Sequence, residues 1–347
     1  MNLCPQKSLA GWQSETYAAA SMPSATLISA QSFLVDRIVP DCEVIHLPSA
    51  DVPGGILKYR IAVSAFRSQE RPRRLKFVPA QNITAPDGSI IFDFRHHSPG
   101  NWAHLLTMHL PLLFHISEQL AIPWQQALIL MPKSAPRYAR RALAMFGLKT
   151  LFTDDIVHGA GVEIIADPWQ CFWPVRPDWA TTHSVLSALH AAIAREDRQL
   201  PRRILLLRRD TRTLTNSADI VALTEPLGFE VVYPEDYTPA EQAAFFMNAE
   251  AIIAVHGAGL APLLYRTKNS AHMKLVELFP CGHITSVFRF IATQTNTAWV
   301  GVRGKLRPEY VKPAYRLSKP YRRFSLDNFE VDPRSLMLAL RKLEIAA

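Results

Sequence analysis

The sequence predicts an α/β protein with parallel sheets and helices on both sheet faces, divided into two units. Three observations predict it. Strand and helix patterns alternate through residues 201–304, the alternation recurs less regularly through residues 89–152, and a proline- and tryptophan-rich stretch from Asp167 to Asp178 separates the two. Repeated β-α units bring each strand back in the same direction, so neighbours pair in parallel. At 347 residues, 48% of them hydrophobic, the chain is long enough for two cores.

In the first unit the opening 60 residues show strand fragments without a readable topology. Strand Ser89 to Phe94 then leads through His96-His97-Ser98-Pro99-Gly100 into a helix beginning near Asn101. Strand Ala127 to Met131, helix Arg137 to Phe146 and strand Lys149 to Phe152 follow, and the Asp167 to Asp178 stretch suits a linker. The expected boundaries are therefore residues 1–178 for the first domain, 179–325 for the second and 326–347 for a terminal helix opened by Asp332-Pro333.

The second unit begins with Arg203 to Arg208, a buried strand type, followed by a helix over about Ser217 to Leu227 that stops at Gly228. Strand Phe229 to Tyr233 comes next. Thr238-Pro239-Ala240-Glu241 combines an N-cap, a proline at the first helical position and a capping-box glutamate, and opens a helix to about Ala249. Strand Ala251 to Val255 breaks at His256-Gly257-Ala258-Gly259 and resumes as a helical pattern; strand Met273 to Phe279, a helix near Thr285 to Thr293 and strand Ala298 to Val302 complete the series.

The break after Val255 is the most telling stretch. A strand that ends in glycines and runs into a helix lets backbone N–H groups approach a ligand, and the helix N-terminus favours a phosphate. The same turn also serves to pack helix on strand, and the third glycine of a dinucleotide fingerprint is missing. Its company favours a ligand. In a doubly wound sheet, ligands bind beyond the carboxyl ends of the strands, where this chain places Arg208-Arg209, Glu235-Asp236, His256-Gly257-Ala258-Gly259 and Glu277. Guanidinium groups, a helix N-terminus and a carboxylate for ribose hydroxyls are what a nucleoside diphosphate requires. Simpler roles exist for each: Arg208 or Arg209 pairing with Asp210, Glu241 capping its helix, His256 as a satisfied core histidine. Glu277 lies in an apolar strand, where a charge needs a partner, and a ligand role is expected for it.

Composition bounds the alternatives. No apolar run reaches the ~18–20 residues of a membrane helix, and no secretory leader is read at the N-terminus. Cys4, Cys42, Cys171 and Cys281 stand far apart with no C-x-x-C pair, which fits a reducing compartment, and a cytoplasmic location is expected. The net charge of +8 implies polyanionic partners. The segment Arg303 to Arg323 carries eight Lys/Arg interleaved with tyrosines, either a solvated surface or a peripheral dock on an anionic membrane face. No nucleic-acid motif accompanies the charge, so no nucleic-acid partner is expected.

LLLRRDTRTLTN, GFEVVYPEDYTPAEQAAFFMNAEAIIAVHGAGLAPLLY and MKLVELFP, in that order and spacing, resemble the glycosyltransferase family 61 signature, and Gly100-Asn101-Trp102-Ala103-His104-Leu105-Leu106 resembles its first-domain segment. The resemblance implies a GT-B architecture, two Rossmann-like domains facing a central cleft, with the acceptor side on the N-terminal one and the nucleotide-sugar donor on the C-terminal one. It also implies inversion at the anomeric carbon and adds Asn216 and Leu260 to the donor residues. Eukaryotic secretory-pathway members would carry a membrane anchor or signal, and neither is read here, so the bacterial branch associated with capsular and other surface polysaccharides is expected. The chain departs from the family pattern in the residue after His104 and in Ala261-Pro262, positions that bear on acceptor fit and sugar choice.

Inverting transfer needs a base for the acceptor hydroxyl and positive charge for the departing diphosphate. His104, in the first turn of its helix, is the expected base, with His97 and Glu235 as substitutes and a packing role as the alternative. There is no D-x-D sequence, so a metal held by paired aspartates is not favoured, and no cofactor is expected beyond the nucleotide-sugar substrate and a glycan or glycolipid acceptor. Two rivals share the fold type: a non-catalytic glycan- or nucleotide-binding relative, and an NAD-dependent oxidoreductase, which lacks the fingerprint glycines after a first strand.

Overall fold

The computed structural model describes residues 11–16, 20–29, 42–52, 56–68, 79–165, 183–305 and 326–347. The expected linker at 167–178 lies outside the described residues, as does most of the basic 303–323 segment. Two compact units divide the chain. One comprises Met1–Ala20, Val52–Glu196 and Thr238–Ala240, and the other Ser21–Asp51, Asp197–Tyr237 and Glu241–Ala347. No helix among the described residues is long and apolar enough to cross a membrane.

The second unit is a seven-stranded sheet. Glu230–Val232, Arg203–Leu206, Ala251–Val255, Met273–Phe279, Thr297–Arg303 and Ala25–Ser29 run parallel in that order, and Glu43–Leu47 closes it antiparallel. Five of these strands match the sequence reading to within two or three residues. The last two correct it, because residues 21–51 belong with this sheet and not with a 1–178 domain. Thr26 through Ser29 register against Val300 through Arg303, covering an edge that would otherwise expose unpaired backbone, and Leu27 and Ile28 are buried there. The terminal helix Pro333–Lys342, N-capped by Asp332, is likewise no separate element: Leu336, Ala339 and Leu340 join the core formed by Leu205, Ile253, Val276 and Val300.

After Val255 the expected α-helix is a 3₁₀ helix, Ala258–Tyr265, with Pro262 inside it. Proline has no N–H to donate and its ring opposes an α-helical turn.

The first unit holds a mixed sheet, in the order Gln13–Thr16, Ile56–Arg67, Ile156–Ile165, Ile90–Asp93, Ala127–Met131 and Lys149–Phe152. Its parallel part, strands 90–93, 127–131 and 149–152, agrees with the sequence reading. The long antiparallel pair 56–67 and 156–165 was not legible, since its partners lie about a hundred residues apart. Asn101 caps the helix that follows strand 90–93, its Oδ1 accepting from the Ala103 and His104 N–H groups. That helix is not uniform. Trp102–His104 and Leu110–Gln119 are α, and Leu105–His109 between them is a π turn closed by Leu110 N–H to Leu105 O. Pro111 follows at once; its missing N–H and its ring break the regular ladder, and the wider turn accommodates it.

Candidate functional site

Strand Arg203–Leu206 lies between Glu230–Val232 on one side and Ala251–Val255 on the other. The chain lays its second strand to one side of the first and then returns to the other, so the winding reverses between strands 203–206 and 251–255. Ligands of open α/β sheets bind in the crevice beyond the carboxyl ends at such a reversal. Arg208 leaves one of these two strands and His256-Gly257-Ala258-Gly259 leaves the other.

The two meet there. Arg208 donates from Nε to Thr211 O (2.8 Å) and reaches Asp210 Oδ1 at 3.3 Å, which aims its guanidinium across the crevice. It lies so close to Gly257 that a Cβ on that glycine would overlap Arg208 Nη1 and sit 3.3 Å from Cζ. Glycine is required here for close approach. Arg212, in the left-handed region at φ 57°, turns back to donate from Nη1 to His256 O (3.1 Å). Burial, and after it the neighbouring Arg208, lowers the Arg212 pKa, as expected for two like charges held side by side. The N-terminus of the 3₁₀ helix follows Gly257 directly. Two guanidinium groups and a helix N-terminus around one turn form an anion site suited to a diphosphate.

Behind the turn, His256 is buried and stacks on Phe279, ring centroids 5.0 Å apart. Its Nδ1–H donates to Glu277 Oε1 at 2.6 Å, while Glu277 Oε2 accepts from Trp299 Nε1 at 2.8 Å. The carboxylate therefore holds the imidazole as the Nδ1–H tautomer and leaves Nε2 as an acceptor. His283 lies 5.2 Å from the His256 ring. Burial first, then His256 and Arg212, push its pKa down to about 4.

Several expected donor residues stand elsewhere. Glu277 is not at the strand end but two residues short of it, is fully buried, and has both oxygens engaged by His256 and Trp299. The amide of Asn216 is committed to the backbone of Val331, donating to its O (2.8 Å) and accepting from its N (3.1 Å). Leu260 is a core side chain with 0% exposure, and its N–H donates to Gly257 O. Arg209 forms a bidentate pair with Asp236 at 2.6 Å for both bonds and lies over the Tyr233 ring; that hydrogen-bonded pairing, foremost, raises its pKa and lowers that of Asp236. Glu235 is exposed in the short turn Pro234–Asp236. Ala258 and Gly259 stay at the crevice, half-buried in the first turn after Gly257.

His104 belongs to the first unit, in the turn capped by Asn101. Its half-buried ring has Nδ1 3.2 Å from His97 O, so Nδ1–H donates to the carbonyl and this tautomer puts the basic nitrogen at Nε2. Reading the sequence missed Arg212, His283 and Trp299 as site residues. Arg212 stood in the basic cluster 202–212, but its left-handed backbone is invisible in composition; His283, four residues past the end of strand 273–279, was findable from its position at the same sheet edge.

Among known proteins, the family described as Glycosyltransferase 61 matches residues 102–273. A beta-1,2-xylosyltransferase of Oryza sativa subsp. japonica is 37% identical over 79 residues, covering 22% of this chain and 17% of that protein. An alpha-1,3-arabinosyltransferase of the same plant is 27% identical over 111 residues, 31% of this chain and 18% of that protein. The matched stretches thus span less than a fifth of the length of these relatives. The crystal structure of an iron-containing heptosyltransferase aligns over 82% of this chain and 81% of its own at 10% identity, with a TM-score of 0.28, too low to bear on the architecture.

Proposed function

Residues 102–273 belong to the glycosyltransferase 61 family, and from that premise we propose that the chain transfers a sugar, with inversion, from a nucleotide-sugar donor to a glycan acceptor. The observation that carries the reading is the convergence of Arg208, Arg212 and the Gly257 turn at the winding reversal of the second unit's sheet. In this mechanism the acceptor oxygen attacks the anomeric carbon, and the bond from that carbon to the diphosphate oxygen breaks on the opposite face. His104 Nε2 takes the hydroxyl proton. Arg208, Arg212 and the N–H groups after Gly257 stabilise the charge gathering on the departing diphosphate, as preorganised donors do in transition states. His256, held by Glu277, adds a fixed hydrogen-bonding group beside them.

The finer parts of the proposal rest on the resemblance and on charge. They are the GT-B arrangement of two facing Rossmann-like domains, a role in bacterial surface polysaccharide synthesis, a cytoplasmic setting and membrane contact through the basic 303–323 segment. The rice relatives named above are a xylosyl- and an arabinosyltransferase, so pentoses are the first sugars to try as donors once the nucleotide is known.

Calorimetric titration with UDP, GDP, CMP and NAD, in EDTA and then in magnesium, tests the reading. Binding of one nucleotide in EDTA, lost in Arg208→Ala, supports a transferase that works without metal; binding only in magnesium replaces that part of the mechanism. Silence toward all four from the folded protein removes the donor site and favours the binding-module reading, and NAD binding alone favours the oxidoreductase. For the base, His104→Ala should retain nucleotide affinity and lose turnover; near-normal turnover assigns the proton elsewhere.

A further inference from the structure

The first unit contains a cavity of about 800 Å³, within the ~300–1,000 Å³ range of ligand pockets. It opens beside the carboxyl end of strand Ile90–Asp93, flanked by strands 127–131 and 156–165 on its two sides, so this sheet too reverses its winding at the cavity. The π turn Leu105–His109 delivers His109 to its wall. Such turns inside α-helices occur often at functional sites. His109 is 7% exposed, its ring hydrogen-bonds to the backbone of His97, and its Nε2 has no hydrogen-bond partner among the described residues. A buried polar atom without a partner is costly to maintain and asks for an explanation. The loop that holds it is also strained: His97 and Ser98 are consecutive non-glycine residues in the left-handed region, at φ 57° and 56°.

We infer that this cavity is a saccharide-binding site in which His109 Nε2 accepts a hydrogen bond from a sugar hydroxyl. The tautomer dictates the chemistry. Nδ1–H is spent on the His97 carbonyl, so Nε2 offers a lone pair and the ligand must bring the donor. An ionised phosphate oxygen, which carries no proton, cannot supply it. The ring also stays neutral, because burial pushes its pKa down to about 3 against the smaller upward effects of the His97 carbonyl and Asp93, with His104 and His97 lowering it further. Both carboxylates on the wall are neutralised, Asp93 by the buried Arg95, which donates to both of its oxygens, and Glu163 by Arg60, while the exposed Arg67 adds one positive charge to the lining. Trp12, half-exposed at the cavity, gives an apolar face on which a sugar ring can pack, and the buried Phe94 backs the His109 ring at 5.0 Å. The inference deepens the transferase reading by giving the acceptor a seat, and it is tested separately from that reading.

The full chain labelled with ¹⁵N-histidine is titrated with xylobiose, cellobiose and maltose at millimolar concentration, and separately with UDP. The His109 resonances should report a neutral Nδ1–H tautomer, and at least one disaccharide should move Nε2 while UDP leaves it in place. His109→Leu should weaken that disaccharide about tenfold, the scale of one hydrogen bond, with UDP affinity unchanged. His109→Gln, which keeps an acceptor oxygen, should recover part of the loss and serves if the leucine variant does not fold. If UDP binds but no disaccharide moves the ring, the cavity inference is overturned and the transferase reading survives. If a disaccharide binds at His109 and no nucleotide binds anywhere, the cavity inference stands and the donor reading fails.

Discussion

Gly257→Ala isolates the contact on which the donor site depends. The added Cβ would overlap Arg208 Nη1 and stand 3.3 Å from its Cζ and 3.5 Å from Arg212 Nη1. The obstructed atom ends a flexible side chain, so the guanidinium swings out of the crevice and gives up its bonds to Thr211 O (2.8 Å) and Asp210 (3.3 Å). Losing a hydrogen bond to a charged group costs about 1.5–3 kcal/mol, so the dissociation constant for the nucleotide should rise roughly 10- to 150-fold. A second effect must be separated from this one. Gly257 has φ 156° and ψ −173°, a region nearly reserved for glycine, so alanine there also destabilises the fold by about 1–3 kcal/mol. Gly228→Ala supplies the control: φ is 81°, the nearest atom to a new Cβ is Arg203 Cδ at 3.8 Å, and the residue ends a helix outside the crevice. It should cost about 1 kcal/mol of stability. Both variants should melt earlier than the parent in a thermal scan, and only Gly257→Ala should lose affinity in calorimetry with UDP. If Gly257→Ala binds UDP within twofold of the parent, Arg208 does not hold the diphosphate and the site must be redrawn.

Glu277→Gln keeps the shape but offers an N–H₂ toward two donors, His256 Nδ1–H and Trp299 Nε1–H. Relief by flipping the His256 tautomer makes Nε2 a donor, which ¹⁵N shifts of that ring should report, with a fall in turnover of at least tenfold by analogy with other supporting carboxylates. Arg209→Ala and Asn216→Ala should both leave UDP affinity within about threefold: Arg209 is an exposed partner of Asp236, of the kind worth ~0–1 kcal/mol. Asn216→Ala should instead lower the melting temperature, since it strands two backbone groups of Val331. His283 and His109 titrate near 4 and 3 in the folded chain against 6.5 ordinarily, so as pH falls the unfolded chain takes up their protons first. Their contribution to stability is complete above pH 6.5 and is lost progressively as pH falls through 4 and 3. Melting measured between pH 7 and 4 should decline less steeply in His283→Gln than in the parent; an equal slope removes His283 from this account.

The local patterns were readable because they answer to local physics. Ala251–Val255 and Met273–Phe279 are apolar runs bounded by turn residues, of strand length and too short for a buried helix. Asp332-Pro333 and Asn101 announce helix starts because their side chains or missing N–H groups serve the first turn wherever the helix lies. The glycine break at 256–259 was legible for the same reason, and with it the sheet edge at which ligands are expected.

Pairing across long separations was not legible. Strand 25–29 shows nothing in its five residues that names strand 297–303 as its neighbour, and strand 56–67 does not name 156–165. Nor could the sequence divide the polar residues of the edge into those that meet a ligand and those that support them. Arg208 and Arg209 are adjacent and chemically alike, yet alternation along the chain sends one against Gly257 and the other to Asp236. Glu277 reads as a lone acid in an apolar strand until Trp299 of the next strand and His256 of the previous one close over it. Periodicity specifies which faces of an element are buried, because burial of an element depends on its own side chains. Which groups converge depends on register and crossover, set by the packing of the whole sheet.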